Sequence, residues 1–412
     1  MRKRGVPMNR KAALLLSSIG ISNLGDWIYF IPLNFMVYHM TGSAAAVAAL
    51  YVIRPLAALL TSFWAGSIVD RFSQRNLMIG LDLARASLVL IMLLSPPVPV
   101  LYFLVFIICM ADAIYDPAAS AFMVKLIPQE QRKVFNSYKS LAWSGAFILG
   151  PALAGLLYIS GLPYLAFTVN AGSFLISALM LLMLPNLLGN TDGKNLSLAV
   201  LKEDWQIVLR FMRKAKYVMV IYLLFNGVMV MAAALDSQEA VFSLNVLQLS
   251  ESTYGLLVSI SGAGLLAGSI VNRLAVNRLS ASLLIGVGGV MIASGYLIYS
   301  VSLSFAGAAA GFFILAFFMA FANTGVWTFY QDHVPVDIMG RVGSALGMVI
   351  SIVQMAMVTA IGFAGDLLPI RPVIISGAGA MVFLALLLFA AAMKPSAEYK
   401  QAMGRLDQEV IK

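Results

Sequence analysis

Asp26, Asp82, Asp112, Asp116, Asp236 and Glu239 lie inside long apolar stretches of the chain, and Arg54 and Arg85 lie there with them. A charge in such a stretch is costly unless it is partnered or faces water, so each is a candidate for moving ions or protons. Counted from the ends of their stretches, Asp26 and Asp112 are about 14 residues deep and Arg54 about 11, near the middle of a helix that crosses a bilayer. A carboxylate shielded from water holds a proton until a cation comes close. If that cation moves with conformation, the proton is taken up on one side and released on the other. Asp26 or Asp112 is therefore the candidate proton carrier, with Arg54 as its modulator. The alternative is a fixed ion pair that holds the helices together. Asp82 and Arg85, three apart on one helix, can pair locally. With Asp116 they fall nearer the Lys- and Arg-rich end and read as one network with Arg71 and Arg75. Asp236 and Glu239 fall at the opposite end, lining a mouth or simply solvated. His39 and His333 are both far from mid-depth, which argues against a histidine relay.

Other chemistries find no support. The single cysteine, Cys109, allows no internal disulfide, and no Cys/His cluster suggests a metal. There is no HExxH and no Gx4GK[ST], so neither a zinc hydrolase nor an ATPase is indicated, and no cofactor and no enzymatic activity are expected. The net charge of +9 is spread between apolar runs and forms no basic stripe with interleaved aromatics, which argues against a nucleic-acid partner.

The elements that must position these charges follow from composition. Hydrophobic residues make up 61% of the chain and charged residues 11%, against about 45–50% and about 25% in soluble domains. Twelve apolar runs, each near the length a helix needs to span a bilayer, cover 12–38, 43–69, 76–95, 98–124, 136–160, 163–184, 217–244, 250–271, 280–300, 303–330, 342–364 and 371–393. The N-terminal Met1–Lys11 segment resembles the start of a signal peptide, but the run that follows is too long and no small-residue cleavage site closes it. Of the 27 lysines and arginines, 24 fall in the termini and alternate connectors, Arg54 and Arg85 lie inside runs, and only Arg371 falls on the other side. That bias predicts an inner-membrane protein with both termini cytoplasmic.

Residues 66–71 read Gly-Ser-Ile-Val-Asp-Arg and residues 268–273 read Gly-Ser-Ile-Val-Asn-Arg. Pro128-Gln-Glu130 and Pro335-Val-Asp337 form a second echo at a similar offset. The expected fold is therefore all-α and integral to the membrane, with twelve transmembrane helices in two six-helix bundles related by an internal repeat. The domains are a cytoplasmic N-terminus (1–11), an N-terminal bundle (12–184), a cytoplasmic linker (185–216), a C-terminal bundle (217–393) and a cytoplasmic tail (394–412). From about Leu196 the linker has an amphipathic pattern, which reads as a helix lying on the inner leaflet or as a soluble connector.

Gly66, Asp70, Arg71 and Arg75 resemble the signature between the second and third helices of the major facilitator superfamily, departing from it at Ser73 and Gln74. Gly150-Pro151 with Gly155 resembles that superfamily's antiporter motif, with Ala154 where a paired glycine is usual. Asn23-Leu-Gly-Asp26-Trp27, Asp116-Pro117-Ala118 and Gly340-Arg341-Val342 resemble the branch that contains macrolide-efflux and siderophore-exporter proteins. The resemblance implies a major facilitator fold, a conformational latch at Gly66, Asp70, Arg71 and Arg75 extended by Asp82, Arg85 and Asp116, and a seal or a plain helix contact at Gly150, Pro151 and Gly155. It implies proton-coupled export of an amphipathic drug-like, antibiotic or siderophore-like small molecule by a monomer in the lipid bilayer. Uptake by symport and lysophospholipid flipping are alternatives on the same fold, and a non-transporting membrane sensor is the alternative from another class. Asn23, Tyr115, Asn226 and Gln354 are the candidate substrate contacts, with Phe225, Met229 and Met231 as adaptable apolar neighbours.

Overall fold

The computed structural model describes residues 10–394 apart from 161, 163, 188–208, 276 and 277. In order come α1 (Arg10–Thr41), α2 (Ala44–Arg71), α3 (Gln74–Met92), α4 (Val98–Leu126), α5 (Gln129–Ile159), α6 (Leu165–Leu182), α7 (Lys216–Asp236), α8 (Glu239–Asn245), α9 (Glu251–Ala275), α10 (Ala281–Val301), α11 (Phe305–His333), α12 (Val336–Leu367) and α13 (Ile370–Met393). Among the described residues there is no β-strand. Among the described residues eleven helices are long and apolar enough to cross a membrane. Of the other two, α8 has only 7 residues, and α3 has 19 and carries Arg75, Asp82 and Arg85.

Helix is the conformation that lets each segment satisfy its own backbone without water. The starts are marked locally. Ser43, Ser73, Ser280 and Ser304 each accept a hydrogen bond from the N–H three residues on, and α4, α5 and α13 follow Pro97, Pro128 and Pro369. Gly42, at φ +64°, makes the tight turn between α1 and α2, a left-handed conformation that glycine adopts without strain.

Three sequence expectations change. The run at 217–244 is not one helix: α7 ends at Asp236 and α8 begins at Glu239, with Ser237 and Gln238 buried between them. No proline or glycine marks this break; it falls on the four polar residues Asp236-Ser-Gln-Glu239, which the apolar residues on either side outweigh in a count over the whole run. The runs expected from 136 and 342 start earlier, at Gln129 and Val336, because a polar first turn is invisible to a hydropathy count. The amphipathic linker helix lies mostly outside the described residues; only 209–214 are seen as helix, with Phe211 buried and Arg213 and Lys214 exposed.

The described chain forms two compact units. The first takes in α1–α6 together with residues 237–262 and 358–367; the second takes in α7, residues 263–357 and α13. In the first, α1 packs on α5 and α6, α3 lies against α4 and α6, and α2 lies against α4. Leu15, Met78, Phe122 and Phe135 form part of its core. In the second, α10 packs on α11 and α13, and α13 packs on α7. There Gly295 and Gly311 face each other so closely that a Cβ on either would meet the other's carbonyl oxygen within 2.8 Å, the small-residue contact that brings membrane helices together. The echoed hexapeptides occupy matching places, near the ends of α2 and α9.

Candidate functional site

The charges buried in the first unit meet. Asp82 and Arg85 stand one turn apart on α3, and both side chains are sealed, at 0% and 3% exposure. Arg85 holds Asp82 with one terminal nitrogen and reaches Asp112 on α4 with the other, at 2.5 Å. Its guanidinium lies between the rings of Tyr115, 4.4 Å away, and Phe174, 4.3 Å away, so the cation also rests on aromatic faces. Ser177 on α6 donates to the second oxygen of Asp82 at 2.7 Å. Three helices thus share one ion network. Asp112 keeps 26% of its side chain exposed, so the network has one open edge.

Asp26 and Arg54 complete the cluster without direct partners. The charged neighbours of Asp26 are Asp112, Arg85, Arg54 and Asp82, and those of Arg54 are Asp112 and Asp26, with the neutral Cys109 thiol and Tyr29 phenol beside it. Among the described residues neither Asp26 nor Arg54 takes part in an ion pair or a hydrogen bond. Asp26 is half-buried and Arg54 is exposed. The backbone of Asp26 is nonetheless fixed from both sides. A Cβ on Gly25 would run into Ser173 and Asn170 of α6, and a Cβ on Gly150 of α5 would come within 3.1 Å of the Trp27 backbone. The Trp27 ring adds an edge-to-face contact with Phe147, 4.6 Å between centroids.

The structure regroups two expected sets. Asp82 and Arg85, read with the network at the Lys- and Arg-rich end, instead join Asp112 in the interior. An arginine side chain spans more than one helical turn, which depth counting along a single helix ignores. Asp116 is exposed on α4, with Lys139 and Asp112 among its charged neighbours. Arg75 donates to the carbonyls of Leu181 and Leu182 at 2.9 and 2.6 Å, capping the last turn of α6 within its own unit. The backbone at Gly66, Asp70 and Arg71 is the last part of α2, and the side chains of Asp70 and Arg71 lie outside those described. In the second unit Asn272, at the place of Asp70 in the repeat, is buried and donates to Thr324 at 2.7 Å.

Gly155 and Pro151 meet α9: a Cβ on Gly155 would lie 2.9 Å from the Ser252 carbonyl, and one on Gly255 would lie 2.7 Å from that of Pro151. Of the candidate substrate contacts, Asn23 and Tyr115 belong to the first unit and Asn226 and Gln354 to the second. Tyr115 is buried against Arg85, and Asn226 donates to the Tyr222 carbonyl of its own helix at 2.8 Å. Asp236 accepts from Tyr296 in the second unit.

Sequence reasoning missed Ser177 and Phe174, whose types carry no charge signal. It also missed Asp366 and the His39–Glu251 pair, 3.1 Å apart, which lie at helix ends where carboxylates are ordinary.

The chain is 27% identical over 364 residues to the uncharacterized MFS-type transporter YfiS of Bacillus subtilis (strain 168), covering 82% of this chain and 83% of that protein. It is 26% identical over 282 residues to multidrug resistance protein 2 of the same organism, covering 65% and 68%. Over 143 residues it is 29% identical to macrolide efflux protein A of Streptococcus pyogenes, covering 34% and 35%. Among solved structures it superposes on the nucleoside transporter NupG with a TM-score of 0.72 at 15% identity, covering 94% of this chain and 100% of that one. It superposes on a bacterial homolog of the human lysosomal transporter Spinster with a TM-score of 0.70 at 14% identity, covering 94% and 98%. These likenesses establish the shared fold, and the match of residues 15–358 to the Major Facilitator Superfamily places the chain in that family of membrane transporters.

Proposed function

We propose that this transporter exports an amphipathic, drug-like small molecule, of the antibiotic or siderophore type, in exchange for protons by alternating access. The observation that carries the proposal is the charge cluster of the first unit. It sets three carboxylates, Asp26, Asp82 and Asp112, against two guanidiniums, Arg54 and Arg85. Fully ionised it carries one net negative charge, and a single proton makes it neutral. Asp82 and Asp112 are committed to Arg85. Asp26 has no such commitment and is the carboxylate free to carry the proton, with Arg54, exposed and unpaired, as the cation whose approach releases it.

The relatives named for multidrug resistance and macrolide efflux support the export direction and the substrate class. The Lys/Arg bias supports both termini facing the cytoplasm. Asp70, Arg71 and Gly66 then form the cytoplasmic latch, while Gly150, Pro151 and Gly155 hold α5 against α1 and α9 and limit leakage. The test is proton flux in proteoliposomes under an imposed pH gradient, screened against a panel of amphipathic compounds. The proposal expects compound-dependent proton movement that is absent from empty vesicles. Transport of such a compound with no accompanying proton movement would remove the coupling half of the proposal.

A further inference from the structure

At the Lys/Arg-poor end of the first unit, Asp366 in the last turn of α12 sits on the first turn of α2. Its Oδ2 accepts from the Ser43 hydroxyl at 2.6 Å, and its Oδ1 accepts from the N–H groups of Ala44 and Ala45 at 2.6 and 3.3 Å. A helix leaves its first four N–H groups without internal partners. At the start of α2 the N–H of the capping Ser43 goes to the Thr41 hydroxyl and that of Ala46 to the Ser43 hydroxyl. The remaining two are satisfied by a carboxylate more than 300 residues away in sequence. The negative charge also meets the positive end of the α2 dipole.

The contact stands with others between the same two parts of the chain. His39 at the end of α1 meets Glu251 at the start of α9, 3.1 Å apart. Asn245 of α8 donates to the Tyr38 hydroxyl at 2.5 Å, and Gln238 donates to the Ala44 carbonyl at 3.4 Å. Beneath Asp366, Gly362 is pressed on α2 so that a Cβ there would come within 3.2 Å of the Ala45 backbone. Residues 237–262 and 358–367, which belong by sequence to the second repeat, are thus bound into the first unit by polar contacts at one end.

Those contacts differ in kind from core packing. Every group involved is at a helix end, and each can exchange its partner for water when the segments part. A carboxylate on two backbone N–H groups is strong while closed and leaves nothing stranded in hydrocarbon when open. We infer that Asp366 is a reversible latch that closes the Lys/Arg-poor face of the transporter by capping α2, and that its release accompanies opening of that face. The inference rests on the alternating-access reading, and it assigns to Asp366 a positioning role that no sequence motif marks.

The test is thiol accessibility in detergent, which requires neither substrate nor proton gradient and does not depend on orientation in the membrane. Ser259 on α9 is 8% exposed and lies between Gly255 and Gly262, whose faces touch α5. Ser259→Cys in a Cys109→Ser background is therefore a near-isosteric reporter of opening. With the latch intact, a water-soluble maleimide should label it slowly. Asp366→Ala should raise the rate on the order of tenfold, the size of a typical conformational coupling. Asp366→Asn, which keeps an acceptor but no charge, should fall between. Unchanged labelling in both variants overturns the latch. If neither variant yields folded protein, Ser43→Ala removes one of the three hydrogen bonds and should give a smaller increase, and unchanged labelling there overturns it too. Because labelling is read without transport, a chain that exports nothing in vesicles but still shows these rates would refute the exporter proposal and leave the latch standing.

Discussion

Arg85 bridges Asp82, its neighbour one turn away on α3, and Asp112 on α4. The bridge lies at 3% exposure between two aromatic rings, so its removal strands Asp82, which is fully sealed. Arg85→Leu should therefore cost about 3–5 kcal/mol, the usual penalty for leaving one member of a buried pair alone. The loss should appear as a lower melting temperature of the purified protein. Arg54→Leu is the contrasting case. Arg54 is exposed and unpaired, so its removal should move stability by less than about 1 kcal/mol while impairing pH-driven transport. Equal destabilisation by the two substitutions would erase the distinction between structural and functional arginine.

Gly150 offers a packing test. A side chain there must displace the Trp27 backbone on α1, and overpacking of this sort costs about 1–3 kcal/mol. Gly150→Val should lower the melting temperature and loosen the segment that carries Asp26. Gly145, with nothing within 4 Å of its missing Cβ, should accept alanine without loss, as thermal melts of the pair will show.

The Lys/Arg bias places the connector between α10 and α11 outside the cell and the linker before α7 inside. A thiol introduced beside Ser302, at Leu303, which is 81% exposed, should react with an impermeant reagent added to intact cells, and one introduced at Gln206 should not. The reverse pattern would invert the topology and with it the direction assigned to the Lys/Arg-poor face.

The latch at the Lys/Arg-rich end makes a separate demand. Asp70→Asn should slow transport several-fold with normal membrane insertion, since the change removes a negative charge and leaves every topogenic lysine and arginine in place. Wild-type turnover of purified Asp70→Asn protein would reduce Asp70 to a bystander.

The helices were legible in the sequence because a bilayer demands long apolar runs, and the echo between Gly66–Arg71 and Gly268–Arg273 announced the repeat. The break between Asp236 and Glu239 was marked only by the polar tetrad Asp236-Ser-Gln-Glu239, which holds no proline or glycine and which a hydropathy window of span length averages away. Depth counting placed Asp26, Arg54 and Asp112 at one level, but it could not see that Arg85, from a different level, takes Asp112 for itself. The partners that complete the cluster, Ser177 and Phe174, are chosen by how α6 rotates against α3. Asp366 reads as an ordinary loop-end carboxylate until the fold brings it to the first turn of α2. Charge and hydropathy are properties of single helices; pairing is a property of their faces, and one sequence does not record it.

Asp26 is held on a fixed stretch of α1 beside a cluster whose other carboxylates are already paired. The most direct measurement compares Asp26→Asn with wild type in proteoliposomes, reading both accumulation driven by a pH gradient and gradient-free exchange of the same compound. Loss of driven accumulation, with exchange and melting temperature retained, is the predicted result, because asparagine keeps the shape and removes the titrating group. Accumulation against a gradient at the wild-type level would contradict the assignment of Asp26 as the proton carrier.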